Sequence, residues 1–264
     1  MLRRVSALAI AAAMMWPVAA VAQDQAESEE DSYPMLMVSS WQCDFGDMGA
    51  IAEDWDTRAI NAARVAVDDG PWADAGSFYH AWADEWNVNF WAFGEDVASL
   101  IEGTTMVNDA YSEMYPDYGL NLWDHCSAHK DSFDQMGQWT ENPDDGMEDD
   151  AEGEDMVAIS SWMCTDVGAV NEAWQDTFLP KAQAVVDAGE WNSAGVFYHT
   201  WGSEWNVNFY YIAEDVSQIM EGWQSYVASF SDDDPDITEY CHAHKDGIYQ
   251  FGPSVVDSDE GGEG

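Results

Sequence analysis

The stretch FYHAWADEWNVNF at 78–90 returns almost letter for letter as FYHTWGSEWNVNF at 197–209, 119 positions later. The matches extend outward on both sides. SSWQC (39–43) repeats as SSWMC (160–164), VDDGPW (67–72) as VDAGEW (186–191), GEDV (94–97) as AEDV (213–216) and CSAHKD (126–131) as CHAHKD (241–246). A period near 120 is too long for a solenoid repeat, so a whole domain has been duplicated in tandem. Within the quoted stretch, two aromatic runs flank a short polar break, which predicts a hairpin with Glu85 or Glu204 at its turn. Side chains alternate along a strand. Phe78, His80 and Trp82 therefore share one face, and Trp86, Val88 and Phe90 share a face opposite Asn87, Asn89 and Trp91. The second copy sets Val207 and Phe209 against Asn206, Asn208 and Tyr210.

The flanking elements follow from periodicity. MLMVSSWQC reads as a first strand. From Asp47 to Asp68, Ala52, Trp55, Ala59, Ala62 and Ala66 recur at helical spacing. The equivalent helix carries Pro180, which predicts a kink or restart. Glu95-Asp96 and Glu214-Asp215 place carboxylates at the start of a second helix, where the helix dipole favours them. CSAHKDSF and CHAHKDGIY read as a last strand.

Each copy thus reads strand, helix, strand, strand, helix, strand, the ferredoxin-like order. On that order and the duplication, the chain resembles the dimeric α+β-barrel superfamily over roughly 35–137 and 156–252. The resemblance implies an α+β fold of two tandem ferredoxin-like βαββαβ units packed sheet to sheet as an intramolecular barrel. It also implies that the first and last strands of each unit are antiparallel neighbours. Of the three pairings open to four cysteines, this arrangement selects Cys43–Cys126 and Cys164–Cys241. Zinc at the C-x-x-H pairs Cys126/His129 and Cys241/His244 is the competing reading, disfavoured by export, and no metal site is expected.

The ends and the charge bound the setting. MLRRVSALAIAAAMMWPVAAVAQ has a basic start, an apolar run and an Ala-Val-Ala cleavage pattern, a secretory signal over 1–22 with a retained anchor as its competitor. Cleavage removes two Arg and no acid, leaving five bases against 52 acids, a formal charge of −47. Coulomb repulsion then excludes non-specific nucleic-acid binding and, after signal cleavage, association with anionic membrane. A periplasmic or extracellular location follows. Acidic tracts at 23–34, 138–155 and 253–264 lack apolar patterning and read as a disordered segment, a linker and a tail. Oligomeric state is not encoded in any of these features.

The purely apolar strand face suits the helices, which leaves the Asn-bearing face for the barrel interior. Two such faces could enclose a polar-aromatic pocket for a small aromatic or apolar molecule. The candidate ligand-binding residues are His80, Asn87, Asn89, Trp91, His199, Asn206, Asn208 and Tyr210. His80 and His199 have the chemistry of a ligand or a near-neutral base, or of histidines satisfied inside an aromatic core. His129 with Asp131 and His244 with Asp246 share strand faces, so each carboxylate can orient its imidazole, for chemistry or simply for structure. Lys130 and Lys245 beside them read by default as local salt-bridge partners. No hydrolase elbow, phosphate loop or metalloprotease motif appears, and no cofactor is called for by a motif. The resemblance admits cofactor-free monooxygenases, haem-degrading enzymes and haem-binding dismutases. Haem-degrading members use Asn, Trp and His, but Ser39 and Ser40 stand where the first strand would need Asn, so no catalytic role carries over. A structural protein without a ligand is the remaining alternative.

Overall fold

The computed structural model describes residues 34–82, 85–117, 121–141, 155–202 and 204–256. The expected signal segment, most of the acidic tract after it, the linker from 142 to 154 and the tail from 257 lie outside these residues. The first copy comprises β1 (Met35–Cys43), α1 (Met48–Asp54), α2 (Ile60–Asp68), β2 (Trp72–Trp82), β3 (Val88–Gly94), α3 (Val97–Met114) and β4 (Cys126–Glu141). The second repeats it with β5 (Met156–Cys164), α4 (Val167–Ala173), α5 (Leu179–Asp187), β6 (Ser193–Trp201), β7 (Val207–Ala213), α6 (Val216–Ala228) and β8 (Cys241–Ser254). Strand order is β1-β3-β2-β8-β5-β7-β6-β4, and the sheet closes into one barrel. Every pairing is antiparallel, so β1, β2, β5 and β6 all run the same way. The approximate dyad relating the copies therefore lies along the barrel axis. Equivalent residues of both halves arrive at the same mouth.

The two copies are sewn together by their last strands. β4 pairs with β1 through its first half and then with β6, and β8 pairs first with β5 and then with β2. These strands reach Glu141 and Ser254, beyond the unit ends at 137 and 252 that composition suggested. Alternation continues because each extension still packs under the other half's helices. Trp55 Nε1 donates to Pro253 O at 3.1 Å, and Trp174 Nε1 donates to Gln138 O at 3.0 Å. Each half thus anchors a helix tryptophan to the other half's final strand.

The long first helix is interrupted in both copies by a π turn, Trp55–Ala59 and Trp174–Phe178. Ile60 N–H reaches Trp55 O and Leu179 N–H reaches Trp174 O. The first copy has no proline there, so Pro180 does not cause the break. It sits in the first turn of α5, where a missing N–H is tolerated. Asp96 and Asp215 cap α3 and α6, accepting from Ser99 N and Gln218 N at 2.7 and 2.8 Å. Helix–sheet packing is tight at Gly103 and Gly222, where a Cβ would overlap the Trp72 and Trp191 rings. Those indoles donate to Leu100 O and Ile219 O.

Apolar residues form two kinds of core. Outside the barrel, under the helices, lie Trp55, Ile60, Leu100 and Phe90 in one half and Trp174, Phe178, Trp191 and Phe209 in the other. Inside it, Leu36, Val38, Phe78, Met136, Val157, Phe197 and Tyr249 pack with Trp91, Phe93, Tyr210 and Ile212. An eight-stranded barrel is just wide enough for side chains to fill it. The disulfides are Cys43–Cys126 and Cys164–Cys241, each joining the first and last strands of one copy. Among the described residues no helix is long and apolar enough to cross a membrane.

Candidate functional site

Cross-strand register sets the barrel's interior in rows. At one level, Lys130 pairs with Ser40, Ser40 with Asn89 and Asn89 with Phe78. The second half repeats this row as Lys245, Ser161, Asn208 and Phe197. Both rows face a single cavity of about 70 Å³ near the mouth, also lined by Val38, Ile159, Trp86, Trp205, Ser132, Asp134 and Tyr249. One level deeper, Ser132, Val38, Trp91 and Gly76 face Gly247, Ile159, Tyr210 and Gly195. A Cβ on Gly76 or Gly195 would run into the Trp91 or Tyr210 ring, so the glycines let these rings lie across the lumen. The lumen is thus plugged by aromatics below and polar above.

Around the cavity, Ser40, Ser161, Asn89, Asn208 and Asp134 are all buried. Asn89 Nδ2 donates to Trp86 O at 3.1 Å, which fixes the tryptophan at the hairpin. Lys130 Nζ lies over the Trp86 ring at 4.5 Å from its centroid, and Lys245 Nζ over Trp205 at 5.7 Å. Each cation is held by an aromatic face, an attraction of roughly 0.5–2 kcal/mol depending on desolvation.

The structure separates the sequence-predicted residues into groups. Asn89 and Asn208 line the cavity. Trp91 and Tyr210 belong to the aromatic plug beneath it. Asn87 and Asn206 are turned to the backbone instead: Cys43 N donates to Asn87 Oδ1 at 2.8 Å and Asn87 Nδ2 donates to Cys43 O at 2.7 Å. Asn206 makes the same pair with Cys164, at 2.8 and 2.8 Å. Each amide acts as one more rung of the sheet beside a disulfide. Replacing Asn87 with Ala leaves a buried N–H and C=O unmet and is expected to lower stability by roughly 2–4 kcal/mol. Asn89→Ala, facing the cavity, is expected to cost less than half of that, and paired urea melts of the two variants decide it.

His199 lies at the β6–β4 seam, opposite Asp134, with Nδ1 3.4 Å from Asp134 Oδ1. His80 takes the equivalent seam position opposite Tyr249, with ring centroids 6.0 Å apart. Asp134 and Tyr249 are equivalent positions that have diverged, and they are where the cavity departs from twofold symmetry.

His129, Asp131, His244 and Asp246 face outward, away from the lumen. His129 Nε2 meets Asp131 Oδ1 at 2.8 Å and Ser39 Oγ at 3.2 Å, while its ring lies 4.1 Å from that of Trp41. Serine and carboxylate share one ring nitrogen. A nucleophile–base relay needs them on opposite nitrogens, so this cluster is structural in form. Burial pushes the Asp131 carboxyl up, but its hydrogen bond to His129, the His129 charge and Ser39 outweigh that and hold it below the usual range. In the second copy Ser160 Oγ donates to Asp246 Oδ1 at 2.6 Å, and His244 stacks on Trp162 at 4.4 Å. Among the described residues no group of three His, Cys, Asp or Glu could hold a metal ion.

Sequence reading missed Lys130, Lys245, Trp86, Trp205, Ser40, Ser161 and Asp134 as cavity residues. A signal was available. With His129 and Asp131 on one face, strict alternation sends Lys130, Ser132 and Asp134 to the other, and the same holds for Lys245.

No protein-family model matches the chain, and no curated protein sequence matches it. Solved structures do match its fold. A protein assigned to the monooxygenases from Fusobacterium nucleatum superposes with a TM-score of 0.56 at 6% identity, covering 84% of this chain and 94% of that one. A second such protein, from Lactobacillus acidophilus, gives 0.54 at 7% identity over 84% and 95%. A mutant chlorite dismutase from Candidatus Nitrospira defluvii gives 0.52 at 10% identity over 86% and 94%. Closed strand order, duplicated βαββαβ topology and these superpositions agree: the chain has the fold of the dimeric α+β-barrel superfamily, with both halves of the barrel supplied by one polypeptide.

Proposed function

We propose that this is an exported binding protein that holds a small molecule with an aromatic or apolar body at the mouth of its barrel. One observation carries the reading. Both halves of the duplication direct the same row, Lys, Ser, Asn and Phe, into a single cavity walled by the hairpin tryptophans Trp86 and Trp205. Apolar walls with a few convergent polar groups are the usual makeup of a small-molecule site. Two disulfides and the signal-like N-terminal sequence support an oxidising location outside the cytoplasm.

Haem does not fit this cavity. None of the six histidines lines it, and Trp91, Phe93, Tyr210 and Ile212 fill the lumen below. A space of about 70 Å³ is far too small for a porphyrin. Oxygenase chemistry without a cofactor is the second reading. It is favoured by the names of the Fusobacterium and Lactobacillus structures and by the closeness of His199 to Asp134 beside the cavity.

Titration with indole, read by tryptophan emission, tests the binding reading. Saturable quenching is expected, and Ser161→Phe, which fills the cavity, is expected to abolish it while the far-UV spectrum stays native. Equal quenching in Ser161→Phe and the parent protein would show that the mouth is not the site.

A further inference from the structure

We infer that the protein holds a soft monovalent cation, Cu(I) or its analogue Ag(I), between His242 Nε2 and Met163 Sδ. These two atoms lie 3.1 Å apart at the end of the barrel that carries the second disulfide. The site is independent of the barrel cavity, which neither residue lines. Imidazole nitrogen suits copper, and a thioether selects Cu(I) over magnesium, calcium and manganese, which prefer oxygen. A neutral imidazole with its proton on Nε2 would donate it to Sδ, a weak acceptor. With the proton on Nδ1, the same contact instead aims the Nε2 lone pair and the sulfur at one point, where a cation satisfies both.

The two donors are held from behind. Met163 precedes Cys164, His242 follows Cys241, and those cysteines are bonded to each other. β5 and β8 are paired at the same place, with Met163 opposite Ala243 and the register shifting between Met163 and Cys164. Cross-link and ladder together fix the backbones that carry both donors. The side chains keep room to adjust, since His242 is exposed, Met163 is half-buried and methionine turns about three rotatable bonds. An ion can enter from solvent, and the donors can open around it. His244, two residues along, is stacked on Trp162 instead. That leaves two donors, a number that monovalent d10 ions accept.

The duplication supplies a contrast. Gln42 and Ser127 stand at the equivalent positions of the first copy, where Ser127 Oγ donates to Gln42 O at 3.3 Å. The same strand pair and the same disulfide form there without sulfur or imidazole, so the fold requires neither. The second copy carries both soft donors, and carries them in contact. The 52 Asp and Glu of the chain draw cations toward the surface, but carboxylate oxygens suit hard ions. The His–Met pair is where a soft one is retained.

Silver nitrate titration of the full chain tests this, in sodium nitrate with excess magnesium to occupy the carboxylates. Methionine methyls are isotope-labelled and followed by NMR, with the Met163 signal assigned by its loss in Met163→Leu. The first equivalent of Ag(I) is expected to shift the Met163 methyl ahead of the other methionines. In calorimetry, Met163→Leu and His242→Gln should each weaken the first binding step by about tenfold or more, at least the loss that follows removal of a ligand's supporting partner. Cu(I), supplied as its acetonitrile complex, should compete for that step. Thermal melts establish that both variants are folded. If the first equivalent moves other methyls and leaves Met163 in place, or if either substitution leaves the affinity unchanged, the pair is a hydrogen bond and no metal site.

Discussion

Removing either disulfide, as Cys43→Ser with Cys126→Ser or Cys164→Ser with Cys241→Ser, is expected to cost about 4 kcal/mol. The bonds close chain segments with sequence separations of 83 and 77, and cross-links over loops this long remove much of the freedom of the unfolded chain. For a chain of this length the loss corresponds to a fall of roughly 8–16 °C in Tm. Both bonds sit at the mouth end, where β1 meets β4 and β5 meets β8, and each is flanked by an asparagine rung, the buried Asn87 or the half-buried Asn206. Because β4 and β8 each belong to both halves' sheets, loss of one bond is expected to lower a single shared transition. Calorimetry showing two transitions, with only the altered half displaced, would mean that the halves fold separately.

Salt should have an effect of similar size and opposite sign. A formal charge of −45 in the full sequence makes self-repulsion a large destabilising term at low ionic strength. Ion pairs such as Arg58–Asp54 at 3.2 Å and Lys181–Asp234 at 3.3 Å offset little of it. Screening shortens from about 30 Å at 0.01 M salt to about 3 Å at 1 M. Raising sodium chloride across that range is expected to lift Tm by on the order of 10 °C, equivalent to several kcal/mol at this chain length. A Tm that is flat or falls with salt would show that the acidic groups are compensated within the fold.

The two effects come from parts of the molecule that differ in how visibly the sequence announces them. The duplication, the element order and the cysteine pairing were legible because each depends on local periodicity or on neighbouring strands. The division of β3 was legible as well: Val88 and Phe90 meet the helices while Asn89 and Trp91 face inward. The roles of the two asparagines in each copy were not. Asn87 and Asn89 share a strand face, yet one closes a backbone rung and the other lines the cavity, and only the course of β1 past the hairpin decides between them. The π turns were also hidden, because the helical spacing of Trp55 or Trp174 looks unbroken in the sequence. The place of Lys130 was missed for a different reason. As one of few bases it was read only as a local salt-bridge partner, and its place on the lumen side went unread: strand alternation puts Asp131 on the opposite face and Lys130 in the lumen over Trp86.

The central claim is that both copies turn the same side chains into one shared lumen, and lysine chemistry reaches it most directly. Only Lys130, Lys181 and Lys245 carry side-chain amines, and Lys181 lies on α5 paired with Asp234. Treatment of the monomeric fraction with a short amine-specific cross-linker, followed by peptide mapping, should yield a Lys130–Lys245 link within one chain. Links from Lys130 or Lys245 only to Lys181, or only between chains, would contradict the shared lumen.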